Sequence, residues 1–267
     1  AQVTLFVGLS PTLQSLSVQR SILSVAQNDT TTNPADRVNL GPEPSNTQIT
    51  VQATNTGGQP IPVEFIASDS KVLWDDGTNR ALGSLRTNLD ANGRATVTYY
   101  ASSKAGNVQV TVRLNTPNPQ TLATVITQLP GNPANLSLSA DKQIVPPSDQ
   151  ATITAVVKDA ANNPVRDGVQ VTFQLQPGAP SDTTLLPPTT VPTSGGQAQV
   201  RLMAGTLSGP ATVQAQSGAV NANITLFVGV SPTIAPVQVA NPNLVVSDSN
   251  STDPAQRRPL DPNAQNN

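Results

Sequence analysis

An all-β fold, arranged as tandem sandwich domains set end to end, is what this 267-residue sequence predicts. The first observation is period-2 alternation. Residues 47–54 (TQITVQAT), 108–114 (VQVTVRL), 169–175 (VQVTFQL) and 211–216 (ATVQAQ) each put Val, Ile, Leu, Phe or Ala on one face and Thr, Gln or Arg on the other, as a half-buried strand requires. The second is punctuation: 25 Pro and 17 Gly interrupt the alternation before any helical spacing can establish itself. The third is repetition on two scales.

On the longer scale, AQVTLFVGLSPT at residues 1–12 returns as ANITLFVGVSPT at residues 222–233, and NPADR at 33–37 lies opposite DPAQR at 253–257. A chain that starts and stops in the same phase of its own repeat reads as a window on a tandem array. On the shorter scale, residues 49–65 match residues 153–173 with Pro60 opposite Pro164. NGRATVTY at 92–99 matches GGQAQVRL at 195–202, and GNVQV at 106–110 matches GPATV at 209–213. Two homologous units of roughly a hundred residues fit the size and strand spacing of an immunoglobulin-like sandwich.

The expected organisation follows in order. Residues 1–12 are the last strand and linker of a preceding repeat, 13–128 the first domain, 129–133 a linker, 134–230 the second domain, and 231–267 the linker and opening segment of a following repeat. Proline fixes φ and biases the residue before it to extended conformations, so linkers of the type LPGNP (129–133) resist bending. A strand of about ten residues spans roughly 33 Å, so two such domains in line advance a stalk by about 70–80 Å.

Composition narrows the function. Asp, Glu, Lys and Arg make up 11% of the chain, under half of the roughly 25% usual in soluble proteins. The formal net charge of −2 lacks the basic footprint with which nucleic-acid binders displace counterions, so no nucleic-acid partner is expected. No apolar run approaches the ~20 residues of a membrane span. The chain has no Cys, which excludes disulfides, thiolate zinc sites and thiol nucleophiles, and no His, the commonest general base. No enzyme is expected. The adjacent pair Asp75-Asp76 reads as turn chemistry, since Asp-Gly-Thr-Asn follows.

The second unit carries a recognisable pattern: PANLSLSAD (133–141), ATITAVVKDAANNPV (151–165), VQVTF (169–173), GGQAQVRL (195–202) and GPATVQA (209–215). It resembles the bacterial immunoglobulin-like repeat of the invasin and intimin type. The first unit is similar but more divergent, with a long polar stretch at 28–46 and WDDGTN at 74–79. The resemblance implies an extracellular, cell-surface sandwich used in rows as the stalk of an adhesin. In that family the receptor contact belongs to specialised, lectin-like distal domains that usually contain cysteine. None is visible in this sequence, so only the stalk role transfers and the receptor is unknown.

Several residues stand out as candidate sites. Two loops rich in Asn, Asp and Thr occupy equivalent places in the long repeat, and their Asp29, Asp36, Asp248 and Asp253 are the candidate ligands for calcium, a cation that oxygen-only side chains of this density can hold. Their spacing matches no EF-hand loop, so the plain reading is a solvated loop and no cofactor. Asn28, Asn135, Asn223 and Asn250 open N-x-Ser/Thr sequons. Lys158 and Asn162 raise an intramolecular isopeptide bond, but KDAAN reads as a hairpin end. Tyr99 and Tyr100 are neighbours on one strand and point to opposite faces. Alignment of Tyr99 with Leu202 makes Tyr99 the inward one, which leaves Tyr100 and Trp74 as the candidate contact surface.

Three functions are then open. A structural module of a surface fibre has neighbouring copies of the same repeat as its partners. A self-assembling filament subunit would instead use terminal segments for strand addition, with Val3, Leu5 and Val7 at one end and Val237, Val239 and Val245 at the other. A carbohydrate-binding module would need exposed aromatics beyond Trp74 and Tyr100.

Overall fold

Alternating strands pair into two sandwiches with separate cores in a computed structural model that describes residues 10–230. The first contains β1 (Thr12–Val18), β2 (Ile22–Ser24), β3 (Ala26–Gln27), β4 (Val38–Asn39), β5 (Asn46–Thr54), β6 (Pro62–Ala67), β7 (Leu73–Asp75), β8 (Arg80–Leu82), β9 (Ser84–Asn88), β10 (Arg94–Tyr100), β11 (Gly106–Leu114) and β12 (Thr121–Leu129). The second contains β13 (Asn135–Ala140), β14 (Ile144–Val145), β15 (Gln150–Lys158), β16 (Gln170–Leu175), β17 (Thr184–Leu186), β18 (Thr190–Pro192), β19 (Gln197–Met203), β20 (Gly209–Ser217) and β21 (Val220–Val228).

The sheet orders are β1-β5-β10-β7-β8 facing β2-β12-β11-β6-β9, and β13-β15-β19-β17 facing β14-β21-β20-β16-β18. In both sandwiches the opening strand pairs antiparallel with the second long strand. The chain then crosses to the other sheet and runs parallel to the last strand, as β2 beside β12 and β14 beside β21. This is the immunoglobulin-like division into an ABED sheet and a GFC sheet, so the fold class read from the sequence is the one observed. β3 and β4 form a separate short ribbon, and Pro34–Asp36 make one 3₁₀ turn between them.

The alternation converts directly into burial. Along β5, Thr47, Ile49, Val51 and Ala53 are inward, and along β15 the same holds for Ala151, Ile153, Ala155 and Val157. Each fully buried Val or Ile among them contributes roughly 1.5–3 kcal/mol, and each Ala less. The turn glycines repeat for a packing reason. Gly93 has φ +74, and a Cβ there would lie 2.3 Å from the Ala53 carbonyl oxygen. Gly196 has φ +76, and a Cβ would lie 3.0 Å from that of Val157. Each of these glycines accepts a backbone hydrogen bond of 2.8 Å from the strand it crowds.

The two cores are filled differently. Register places Trp74 opposite Tyr99 in the first sandwich and Leu185 opposite Leu202 in the second. Trp74 is fully buried, stacks edge-on against Tyr99 (5.2 Å between ring centres, 84°) and lies 5.8 Å from Phe65. Its indole N–H donates to the Gly83 carbonyl at 3.0 Å. The first sandwich also has an extra edge strand, β8, supplied by the turn after Trp74, where the Asp76 carboxylate accepts from the amides of Thr78 and Asn79 at 2.9 and 2.6 Å. The Asp75-Asp76 pair is therefore turn chemistry, as expected.

The GFC faces also differ. On the first, Arg86, Glu64 and Arg113 lie side by side across β9, β6 and β11, and Glu64 accepts from both arginines at 3.1 and 2.6 Å. The equivalent row on the second is Thr190, Thr172 and Gln216.

Candidate functional site at the joint between the sandwiches

Leu129 ends β12 and Asn135 begins β13, so the backbone between them must pass from one sandwich to the other within a few residues. It does so at Gly131, which is buried and wedged against the first sandwich. A Cβ on Gly131 would sit 2.6 Å from the Leu40 side chain and 2.7 Å from its carbonyl oxygen. Glycine is needed here for close approach. The next residue, Asn132, donates its amide to the same Leu40 carbonyl at 2.8 Å.

On the other side stands the fully buried Asp159, in the loop after β15. One carboxylate oxygen accepts from the Gly131 amide at 2.8 Å and the Asn163 side-chain amide at 2.9 Å. The second accepts from the backbone amides of Ala161 and Asn163, both at 2.9 Å. Four donors satisfy this buried carboxylate without a cation, in keeping with the rule that buried polar groups are hydrogen-bonded. Asn162 turns the loop at φ +66, so KDAAN is a hairpin end as expected, and Lys158 lies exposed beside it. The same loop also grips the neighbouring sandwich, a role the sequence reading did not assign to it.

Asn163 makes the grip. Its side-chain amide reads the loop between β10 and β11 as a peptide group would, donating to the Ser103 carbonyl at 2.8 Å and accepting from the Ala105 amide at 3.0 Å. Gln27 adds a 3.3 Å bond from its side chain to the Ala160 carbonyl. The network continues into the first sandwich, where Ser103 donates both its amide (3.0 Å) and its hydroxyl (2.5 Å) to Asp29. The Lys71 ammonium stands 3.5 Å from the other Asp29 oxygen. Burial works to raise the Asp29 pKa, but the two Ser103 bonds and the Lys71 charge together hold it below the usual carboxylate value.

The polar stretch 28–46 is organised by Arg37. Its guanidinium is buried and donates to the carbonyls of Ala101 (2.7 Å), Asp29 (2.9 Å) and Lys71 (2.8 Å). Burial lowers its pKa, opposed by the charges of Asp29 and Asp69. The loop 28–36 is largely exposed, in keeping with a solvated loop, but Asp29 within it and Arg37 at its end are buried, and this one arginine fixes three backbone segments.

Asp29 is thus committed to Ser103 and Lys71, while Asp36 is exposed and accepts from the Thr31 hydroxyl at 3.3 Å. The calcium candidates in this loop are already engaged with protein donors, and no group of three or more His, Cys, Asp or Glu among the described residues is placed to hold a metal ion. Asp248 and Asp253 lie outside the described residues, as do Val3, Leu5, Val7, Val237, Val239 and Val245.

The aromatic contact surface is a correction. Trp74 is in the core because its cross-strand partner Tyr99 faces inward, and residues opposite one another share a face. Tyr100 points the other way and is half-buried, so the two do not meet on one surface. Of the sequon asparagines, Asn28 and Asn135 spend their side-chain amides on the carbonyls of Asp36 and Asp159, and Asn223 is exposed. No helix among the described residues is long and apolar enough to cross a membrane.

No family model and no curated protein sequence matches this chain. Solved structures do. The D0–D1 domains of intimin match with 19% identity over 83% of this chain and all of theirs, at a TM-score of 0.31. InvD of Yersinia pseudotuberculosis matches with 17% identity over 86% of this chain and 60% of its own, at 0.49. A glycosyl hydrolase family 2 member from Bacteroides cellulosilyticus matches with 16% identity over 83% of this chain but 29% of its own, at 0.34.

Proposed function

We propose that the chain is a structural module of an extracellular bacterial surface fibre, an adhesin-type stalk in which residues 13–128 and 134–230 are successive beads. The observation that carries this reading is the joint. A spacer has to transmit orientation from one bead to the next, and Gly131, Asp159 and Asn163 join two independent cores through buried and half-buried hydrogen bonds rather than through a free linker. The strand topology supports the same reading, as does the likeness to adhesin domains such as those of intimin. Neighbouring copies of the repeat are then the partners, and strand addition is disfavoured because β21 already lies between β20 and β14.

The test is nuclear relaxation on the full chain. The two sandwiches of the natural sequence should share one rotational diffusion tensor. Asn163→Ala, which leaves the Ser103 carbonyl and Ala105 amide unpaired, should let them tumble separately while both stay folded. Independent tumbling in the natural sequence would rule out the spacer role.

A further inference from the structure

The GFC sheet of the second sandwich has an outer face without a single charged side chain. The outward positions of β20 and β21 are Thr212, Gln214, Gln216, Asn221, Asn223 and Thr225, flanked by Gln174 on β16. Its side chains pair with one another across the sheet: Thr212 with Thr225 at 2.8 Å, Thr172 with Thr190 at 3.2 Å, and Gln176 with Gln214 at 3.5 Å. At one end, Phe227 and the exposed Ile144 sit side by side and add an apolar corner. The equivalent face of the first sandwich carries the Arg86, Glu64 and Arg113 row instead.

We propose that this neutral face is a lateral docking surface for the same face on a second copy of the chain. Its chemistry selects that occupant. A carboxamide carries donors and an acceptor together, and a hydroxyl does the same, so a grid of Gln, Asn and Thr is complementary to itself. On a two-fold axis a side chain meets its own copy, so a charge at the centre of such a face would meet like charge, whereas this face places none there. The five strands, of two, nine, nine, six and three residues in sheet order, span roughly 460 Å², short of the ~800 Å² per partner of a stable complex. One pair of sandwiches therefore associates weakly, and copies aligned along a fibre add their contacts. The face offers a sugar no fully exposed ring to stack on, which favours self-pairing over a glycan. The inference stands on this face alone and does not depend on the joint.

Sedimentation equilibrium of the full chain tests it. The natural sequence should form dimers below about 1 mM. Gln214→Lys, which places a charge at the centre of the face, should weaken them by at least about tenfold. Thr111→Lys, at the matching place on β11 of the first sandwich, should leave them intact. Far-UV circular dichroism confirms folding, and Gln216→Lys replaces Gln214→Lys if that variant does not fold. A monomer at 1 mM overturns the proposal, as does equal weakening by both lysines or by neither. Resonance shifts on this face with dextran, in a chain that stays monomeric, would overturn it in favour of a neutral glycan.

Discussion

The two sandwiches share a strand plan and differ in almost everything laid upon it. Gly93 and Gly196 crowd the same turn, Phe65 and Phe173 sit in the same strand, and the opening strands switch sheets at the same point. Yet one core is built on a Trp74, Tyr99 and Phe65 cluster where the other has Leu185, Leu202 and Phe173. One outer face is charged and the other is neutral. The plan is set by backbone demands, which only glycine and strict alternation meet. The filling has only to keep each core apolar and closely packed within its own sandwich, so it can diverge between the two.

The largest test of that comparison removes the aromatic anchor. Trp74→Ala should destabilise the first sandwich by about 3–5 kcal/mol through cavity formation, and calorimetry should show one of two transitions moving while the other stays. Leu185→Ala, at the matching place but only half-buried, should move the second transition by about 2 kcal/mol.

Alkali separates the two next. Burial pushes the Tyr99 hydroxyl far above its ordinary value, Asp69 adds to this and Arg37 opposes it; burial also raises Tyr100. An unfolded tyrosine ionises near pH 10 while the folded one keeps its proton. The first sandwich should therefore hold full stability below about pH 10 and lose about 1.4 kcal/mol per pH unit above it. The second sandwich has no tyrosine, so denaturant titrations at pH 9 and pH 11 should shift the first transition and spare the tyrosine-free one from this effect.

The smallest effect belongs to the charged row. The Arg86 and Arg113 side chains remain 69% and 41% exposed while that of Glu64 is only 10% exposed, so Glu64→Gln, which keeps one acceptor oxygen for the arginines, should cost about 1 kcal/mol. That cost should shrink as salt is raised.

Much of this was legible in the chain. β5, β11, β16 and β20 announce themselves by alternation, and the repeated Gly93 and Gly196 mark equivalent turns. The inward Tyr99 followed from its alignment with Leu202. Trp74 was misread because it adjoins a polar turn, although its place opposite an inward tyrosine dictates burial. The joint was illegible for a different reason. Asp159, Asn163 and Arg37 act on backbone amides and carbonyls of residues far away in sequence, such as Gly131, Ser103 and Ala101. Backbone groups are the same at every residue, so no side-chain pattern marks the partner.

The parallel pairing of β2 with β12, and of β14 with β21, has a consequence under tension. Strands that enter and leave a sandwich side by side in the same direction are loaded in shear when its two ends are pulled apart, so their bonds must fail together rather than unzip singly. That clamp spans three residue pairs in the first sandwich, Ile22 to Ser24 against Thr127 to Leu129, and two in the second, Ile144 and Val145 against Phe227 and Val228. Under a steady load the second sandwich should be the one that yields first.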